Sequence, residues 1–333
     1  MSVGKAEIAG GWRSRLRYDP LPPLLAAGNA ALDYWARRDL LGEDVPPADD
    51  LWQLPGVRRL LARQGPDGSW AYPGGGKAHL RAREDYDQIE TYRSLGILVE
   101  KYGLTREHPA LARAAGWLLA HQSAEGDLRG IYGQQYSPNY TAAIMELLLK
   151  AGYEGDQRLE KAFAWLLASR QRDGGWAIPV RTLALNLDEA LAAPEALPGD
   201  PDKRSSGWVT AVVLRAFAAD ERRRYSVEAQ RAGELLASRF WRRDPYPDRQ
   251  GREFWGKFSF PFWFGDLLSA LDSLSRLGFS GDHPAVANGL AWLAERQVAT
   301  GLWEVTRLRD GEGDLELWLA LAIGRVCRRF WGE

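Results

Sequence analysis

The chain has 333 residues, a formal net charge of -1 and 26% charged residues: it is long enough to bury a core and lacks the basic excess that nucleic-acid binding requires. A single cysteine, Cys327, excludes an internal disulfide framework and a thiolate metal cluster, and suits a reducing compartment. No stretch approaches about 20 uncharged apolar residues, and Met1 to Arg17 lacks the apolar core of a signal peptide, so the expectation is a soluble, cytoplasmic protein with room only for a peripheral membrane contact.

In chain order, helical periodicity with Gly and Pro punctuation dominates, and no run alternates like a strand. Leu24 to Leu41 reads as an initial helix, and Asp49-Asp50 ahead of Leu51-Trp52 as a helix cap. A phrase then recurs: Leu60-Leu61…Gln64…Gly68-Ser69-Trp70, Trp117-Leu118…Gln122…Gly126, Trp165-Leu166…Gln171…Gly174-Gly175-Trp176 and Trp292-Leu293…Gln297…Gly301-Leu302-Trp303. Self-similarity on this scale predicts stacked helical hairpins. After each turn comes a second helix, expected over Asp87 to Tyr102, Pro138 to Ala151, Ser206 to Ala219, Pro261 to Leu277 and Gly313 to Arg329, for eleven or twelve helices in all. Three of them close on a basic residue two positions before Gly103, Gly152 or Gly278, where glycine supplies a left-handed cap and the cation suits the helix dipole. Following helices open on His108-Pro109 and His283-Pro284, with proline near the first helical position.

Two insertions, near 178–204 and 242–261, break the pattern. The first, from Ile178 to Arg204, carries Pro179, Pro194, Pro198 and Pro201, with an amphipathic piece around Leu183, Leu185, Leu187 and Leu191; connections this long are often lids or binding loops. The second leads into the aromatic run Phe254, Trp255, Phe258, Phe260, Phe262, Trp263 and Phe264, which serves either as core packing or as the lining of a site.

The turns Gln64-Gly65-Pro66-Asp67-Gly68-Ser69-Trp70 and Gln171-Arg172-Asp173-Gly174-Gly175-Trp176 resemble the QW repeats of squalene–hopene and oxidosqualene cyclases and of protein prenyltransferase β-subunits. The resemblance covers nearly the whole chain. It implies an all-α (α/α)6 toroid, one domain over residues 1–333, in which outer helices carry the Gln, the turn Trp seals the next hairpin and the second helices line a central cavity. The residues read the same way: a Gln amide satisfies orphan backbone groups at helix ends, and a Trp packs a large area beside it, so the turn tryptophans are structural.

In such toroids ligands meet the N-terminal ends of the inner helices. Alignment on Gly103, Gly152 and Gly278 puts Tyr92 and Thr141 in register. Class II terpene cyclases have an Asp-x-Asp-Asp-Thr-Ala motif at such a helix start, whose middle Asp is the proton donor. Here Thr141-Ala142 matches its end, and the carboxylate positions fall on Ser137-Pro138-Asn139-Tyr140, without an acid. The same offset gives Gln88-Ile89-Glu90-Thr91 in the preceding inner helix, with Asp85-Tyr86-Asp87 one turn upstream, and Asp314-Leu315-Glu316-Leu317 in the last. A donor acid must stay neutral near pH 7, which requires desolvation, whereas a helix N-terminus favours the anion. Capping is accordingly the plainer role for Asp85, Asp87 and Asp314. His79, His108, His121 and His283 are scattered, and no Asp-rich magnesium motif occurs, so neither a metal nor a cofactor is expected.

The leading functional expectation is a terpene cyclase-like protein that binds an isoprenoid or similar apolar molecule in a central aromatic cavity. Cyclisation or isomerisation would use Glu90 or Asp85/Asp87 as acid. Tyr92, Asn139, Tyr140, Trp208, Trp263 and Trp318 would line the cavity, their π faces stabilising a carbocation. A carbohydrate-active toroid using Glu90, Asp266 and Glu316, or a non-catalytic binding protein, are the alternatives.

Overall fold

The structure, a computed structural model, describes residues 11–74, 83–183, 185–308 and 313–332. His79 and residues 1–10 of the N-terminal segment lie outside them. The α-helices among the described residues are α1 (Leu21–Leu25), α2 (Ala30–Ala36), α3 (Pro55–Leu61), α4 (Arg83–Tyr102), α5 (Pro109–Ala120), α6 (Pro138–Lys150), α7 (Gln157–Ala168), α8 (Pro179–Thr182), α9 (Leu187–Ala192), α10 (Gly207–Ala219), α11 (Val227–Ala237), α12 (Leu267–Arg276), α13 (Pro284–Glu295) and α14 (Leu315–Trp331). One two-residue parallel pair, β1 (Lys257–Phe258) with β2 (Thr306–Arg307), completes the regular structure.

The fold is an all-α toroid. Helices α2, α4, α6, α10, α12 and α14 pack each on the next, and α14 packs back on α2. Outside this ring α3 and α5 lie on α4, α7 on α6, α11 on α10 and α13 on α12, while the N-terminal turn Gly11–Arg15 and α1 lie on α14. Trp12 N donates to Gly332 O, joining the two ends. Composition explains the two layers. Every residue of α10 from Gly207 to Ala218 is buried, as befits a helix apolar on all sides, whereas α7 buries Leu159, Ala162, Phe163, Trp165 and Leu166 at helical spacing on one face.

The repeat turns use their Gln and Trp in recurring ways. The indole Nε1 of Trp70, Trp176 and Trp303 donates to the carbonyl ten residues earlier, on Leu60, Leu166 and Leu293, at 2.7–2.9 Å. Gln64 Nε2 donates to Gly68 O of its own turn and to Ala110 O in the first turn of α5. Gln122 does the same to Gly126 O and Arg158 O of α7, and Gln297 to Gly301 O and Tyr18 O ahead of α1. Gln171 instead donates to Asp200 O and Lys203 O, holding the end of the first insertion. A threonine of the inner helix completes the turn: Thr91, Thr141 and Thr210 Oγ1 accept from the backbone N–H of Trp70, Leu128 and Trp176.

Three sequence expectations change. Leu24 to Leu41 is not continuous, because Gly28 at φ +64° breaks it and Asn29 caps α2 by accepting from Ala31 N and Leu32 N. The helix expected from Pro261 starts only at Leu267, since Asp266 caps it. The pair Asp49-Asp50 lies inside a 3-10 turn and makes no side-chain cap. Gly103, Gly152 and Gly278 do take left-handed φ of +63°, +89° and +83°. Helices α8 and α9 form within the first insertion, which is stapled down by Gln135: its Nε2 donates to Glu195 O, and its Oε1 accepts from Leu197 N.

Gln297 carries the seam that closes the ring, because its Oε1 also accepts from Tyr18 N. Replacing Gln297 by Ala strands Tyr18 and Gly301 backbone groups, at about 1–3 kcal/mol for each group left unsatisfied in a buried place. Urea unfolding of Gln297→Ala should show a loss of about 2–4 kcal/mol, with m unchanged if the ring still unfolds as one unit.

Candidate active site at the N-terminal mouth of the ring

The waist of the ring is filled. Arg215 of α10 and Glu146 of α6 are both buried, with Arg215 Nε 2.8 Å from Glu146 Oε2. Lys150 Nζ meets Glu146 Oε1 at 2.7 Å and Glu100 Oε1 at 2.5 Å. Arg215 Nη1 also donates to Phe262 O at 2.5 Å and Phe264 O at 3.3 Å, which ties the segment ahead of α12 to α10. The Tyr92 hydroxyl faces the same guanidinium; burial pushes this phenol well above its usual range, so it stays neutral. The expected open central cavity is therefore corrected to an ion-paired plug beneath an aromatic mouth. Glu146 and Arg215 escaped the sequence reading, although each interrupts an otherwise apolar helical run, Ile144-Met145-Glu146-Leu147-Leu148 and Val213-Leu214-Arg215-Ala216-Phe217.

Above the plug lies Asp266. It caps α12: Oδ1 accepts from Ser269 N at 2.8 Å while Ser269 Oγ accepts from Asp266 N. The residue is only 1% exposed, and its Oδ2 has no hydrogen-bond partner. Burial raises its pKa to about 7, against the lowering effects of the Ser269 hydrogen bonds and of the charges of Arg215 and Arg249. Trp208 Nε1 is likewise buried without a partner. Gly265 brings the chain so close to Trp208 that a Cβ there would collide with Trp208 O, which explains the glycine and sets Asp266 against α10.

Two aromatic groups lie at this end of the ring. Tyr92 meets Tyr140 and Trp263 edge-on, with ring centroids 6.0 and 5.5 Å apart, and Tyr132 meets Tyr140 at 5.3 Å. Trp263 lies over Gly96, where any Cβ would strike its ring at 2.7 Å. Trp208 meets Phe264 at 6.4 Å, and Arg249 lies 3.4 Å from the centre of the Phe264 ring. Tyr132, Tyr140, Trp263 and Phe264 are only half-buried, so the cluster opens to solvent at the N-terminal ends of the inner helices.

The other sequence candidates are placed differently. Trp318 is buried, stacked on Phe260 at 5.6 Å, and its Nε1 donates to Asp314 Oδ2. Asp314 also accepts from Asn29 and lies 3.8 Å from Lys101, with no capping bond to α14. Glu316 is ion-paired with Arg307. Asp87 accepts from Tyr72 N, Asp85 lies partly buried in the first turn of α4, and Glu90 sits 3.9 Å from Arg93. Asn139 is buried near the start of α6, 3.4 Å from Ser137 Oγ. The shared turn contact shows that Thr91, not Tyr92, is the counterpart of Thr141 and Thr210, so the register set on the closing glycines is off by one. In the corrected register Asp87 and Glu90 fall on the first and last acidic positions of the resemblance motif, and Ile89 on the middle one. A further acid missed from sequence, Asp244, accepts from Ser206 Oγ and Gly207 N at the start of α10.

Among the described residues, no group of three or more His, Cys, Asp and Glu is placed to hold a metal ion. Cys327 is buried in α14, and burial raises its thiol to about 12, which rules it out as a nucleophile near pH 7. No helix among the described residues is long and apolar enough to cross a membrane.

No protein-family model matches the sequence, and no curated protein matches it. Among solved structures, a variant of the type II terpene cyclase MstE from Scytonema, in complex with geranylgeranyl dihydroxybenzoate, is 14% identical and covers 93% of this chain and 98% of its own, with a TM-score of 0.41. A protein from Actinoplanes is 15% identical, over 85% of this chain and 87% of its own, at 0.36. A variant of a family 10 polysaccharide lyase from Cellvibrio cellulosa, in complex with trigalaturonic acid, is 13% identical over 67% and 73%, at 0.30. Likeness at this level leaves the chemistry to be read from this chain's own side chains.

Two variants test the electrostatics. The folded pKa of Asp266, about 7, lies above the ordinary value of 3.8, so the folded chain keeps a proton that the unfolded chain releases between about pH 4 and 7, and stability falls as pH rises through that window. Asp266→Asn keeps the cap and removes this penalty. Its stability should match the parent near pH 4 and exceed it by about 4 kcal/mol above pH 7 in urea melts run across pH, since each tenfold difference in proton affinity between folded and unfolded chain is worth about 1.4 kcal/mol. Glu146→Gln leaves Arg215 buried without its counter-ion and should cost about 3–5 kcal/mol in the same assay.

Proposed function

We propose that the N-terminal mouth of the ring binds an isoprenoid or similar apolar molecule and that Asp266 protonates it, initiating cyclisation or isomerisation. The observation that carries this reading is a buried aspartate that holds its proton up to about pH 7, with an oxygen free of hydrogen bonds, on the segment that carries Trp263 and Phe264 and is pressed at Gly265 against Trp208. The proton on Oδ2 goes to an alkene carbon, whose π pair forms the new C–H bond and leaves a carbocation on the neighbouring carbon. The faces of Tyr140, Trp208, Trp263 and Phe264 stabilise that charge. The carboxylate left behind faces Arg215, which favours the donated state, and takes a proton back when the cation collapses to an alkene. Burial thus keeps the acid loaded, and Arg215 makes its loss less costly.

The resemblance of the glutamine–tryptophan turns to those of terpenoid cyclases supports the same substrate class. A glycosidase reading needs a second available carboxylate; Glu146, which shares Arg215 with Asp266, is committed on both oxygens to Arg215 and Lys150, and Asp244 accepts on both oxygens from Ser206, Gly207 and Tyr246. In assays with squalene and with C15 to C20 prenyl alcohols and arenes, cyclised or isomerised product should form, and Asp266→Asn should lower turnover by at least about a hundredfold, the scale of a lost general acid. The rate should fall as pH rises through about 7, where Asp266 loses its proton. Turnover that survives intact in Asp266→Asn removes the acid from the reaction.

A further inference from the structure

At the opposite end of the ring, the last turns of α4, α6, α12 and α14 surround a cleft of about 860 Å³ that the chemistry above does not use. Its wall carries Arg38, Lys150, Arg276, Arg325, Arg328 and Arg329 against the carboxylates Asp39 and Glu100, with Trp35, Val99 and Gly103 on the apolar side. Glu146 and Asp272 lie deeper, with side chains 4% and 11% exposed. A cation at each helix C-terminus is the ordinary answer to the helix dipole, and Lys150 and Arg276, the last residues of α6 and α12, meet that need. Helix α14 alone adds Arg325, Arg328 and Arg329, and Arg38 follows the end of α2, which goes beyond it.

Several of these donors are barely used. Arg276 places Nε on Asp272, and Arg38 places Nε on Asp39 Oδ1 with its guanidinium 4.1 Å from the centre of the Trp35 ring, so each engages a carboxylate through one of its five N–H donors. Asp39 is shared by Arg38 and Arg325, and Asp272 by Arg276 and Arg329, so each carboxylate answers two cations. Burial, together with the like charges of Arg276 and Arg325, holds Arg329 down at about 10, whereas Asp272 raises Arg276 and, against burial, Glu100 and Glu146 raise Lys150.

We propose that this cleft is an anion site for a small di- or triphosphate, inorganic or the phosphate chain of a nucleotide. Converging guanidiniums bind phosphoryl oxygens through paired, charge-assisted hydrogen bonds, and a cleft of this volume admits either ligand. The site is independent of Asp266, so each assignment stands or falls alone.

Isothermal titration at low salt with inorganic pyrophosphate, ADP and inorganic phosphate tests it. Pyrophosphate or ADP should bind at least about tenfold tighter than phosphate, bind more weakly as salt rises, and be unaffected by Asp266→Asn. ADP tighter than pyrophosphate identifies a nucleotide, and the reverse order an inorganic chain. The double variant Arg38→Gln/Arg328→Gln should weaken binding at least about tenfold at unchanged helicity. Should that variant not fold, Glu100→Gln carries the test, because removal of a wall carboxylate should tighten binding. No heat at millimolar pyrophosphate and ADP, or affinity indifferent to these substitutions, overturns the proposal.

Discussion

A single primary amide at each of four hairpin turns holds this ring together. A helix end leaves backbone groups without partners, and a ring of hairpins has such ends at every step. The Gln side chain is short enough to be fixed by its own turn, through Gly68, Gly126 or Gly301, and its second N–H reaches the next unit, at Ala110, Arg158 or Tyr18. In three of the four turns a following Trp adds an indole bond from inside, Trp70 to Leu60, Trp176 to Leu166 and Trp303 to Leu293. Register is passed from unit to unit by these contacts, and the last one, Gln297 to Tyr18, converts a stack into a closed ring.

Closure creates an interior, and its contents are unusual for a core. Arg215, Glu146, Lys150 and Asp272 sit among helices that are otherwise apolar. Hydrophobic replacements of such groups are often neutral or stabilising, so an ion-pair network at the axis is weak evidence for stability as such. Geometry gives it another task. Arg215 fixes the backbone of Phe262 and Phe264, and that segment positions Trp263, Phe264 and Asp266. The charges at the waist therefore set the aromatic mouth, and the glycines at 96 and 265 make the space for it.

The architecture was legible because it repeats. Four turns with a Gln and a following Gly at similar spacing, three of them ending in Trp, announce hairpins, and glycine at the helix ends fixes their length, as Gly103, Gly152 and Gly278 bear out. The site was less legible because it depends on residues that do not repeat. Asp266 was among the candidate acids, but sequence could not distinguish it from Glu316, which ends in an ion pair with Arg307, or from Asp314, which meets Trp318. All three stand at helix starts; burial alone separates them, and burial is a property of the ring. Asp244 and Arg215 show the same limit from the other side, being brought to the mouth by an insertion and by the packing of α10 on α6 and α12. The one-residue register error arose because the closing glycines mark helix ends, whereas the threonine contacts mark how the helices meet the turns.

Asp266 also decides a contest between opposing physical effects. As an N-cap it receives a backbone N–H, lies at the positive end of a helix, and has two arginines near enough to lower its pKa; each of these favours the anion. A helix terminus contributes about 0.3–1 kcal/mol and a charged hydrogen bond about 1.5–3 kcal/mol, so together they would give an ordinary or depressed carboxyl. Its pKa nevertheless lies near 7, which means that desolvation outweighs all of them. That balance depends on water being kept from Oδ2. Asp266 is only 1% exposed, so the ring itself supplies that exclusion through the packing of α12 and its leading segment on α10.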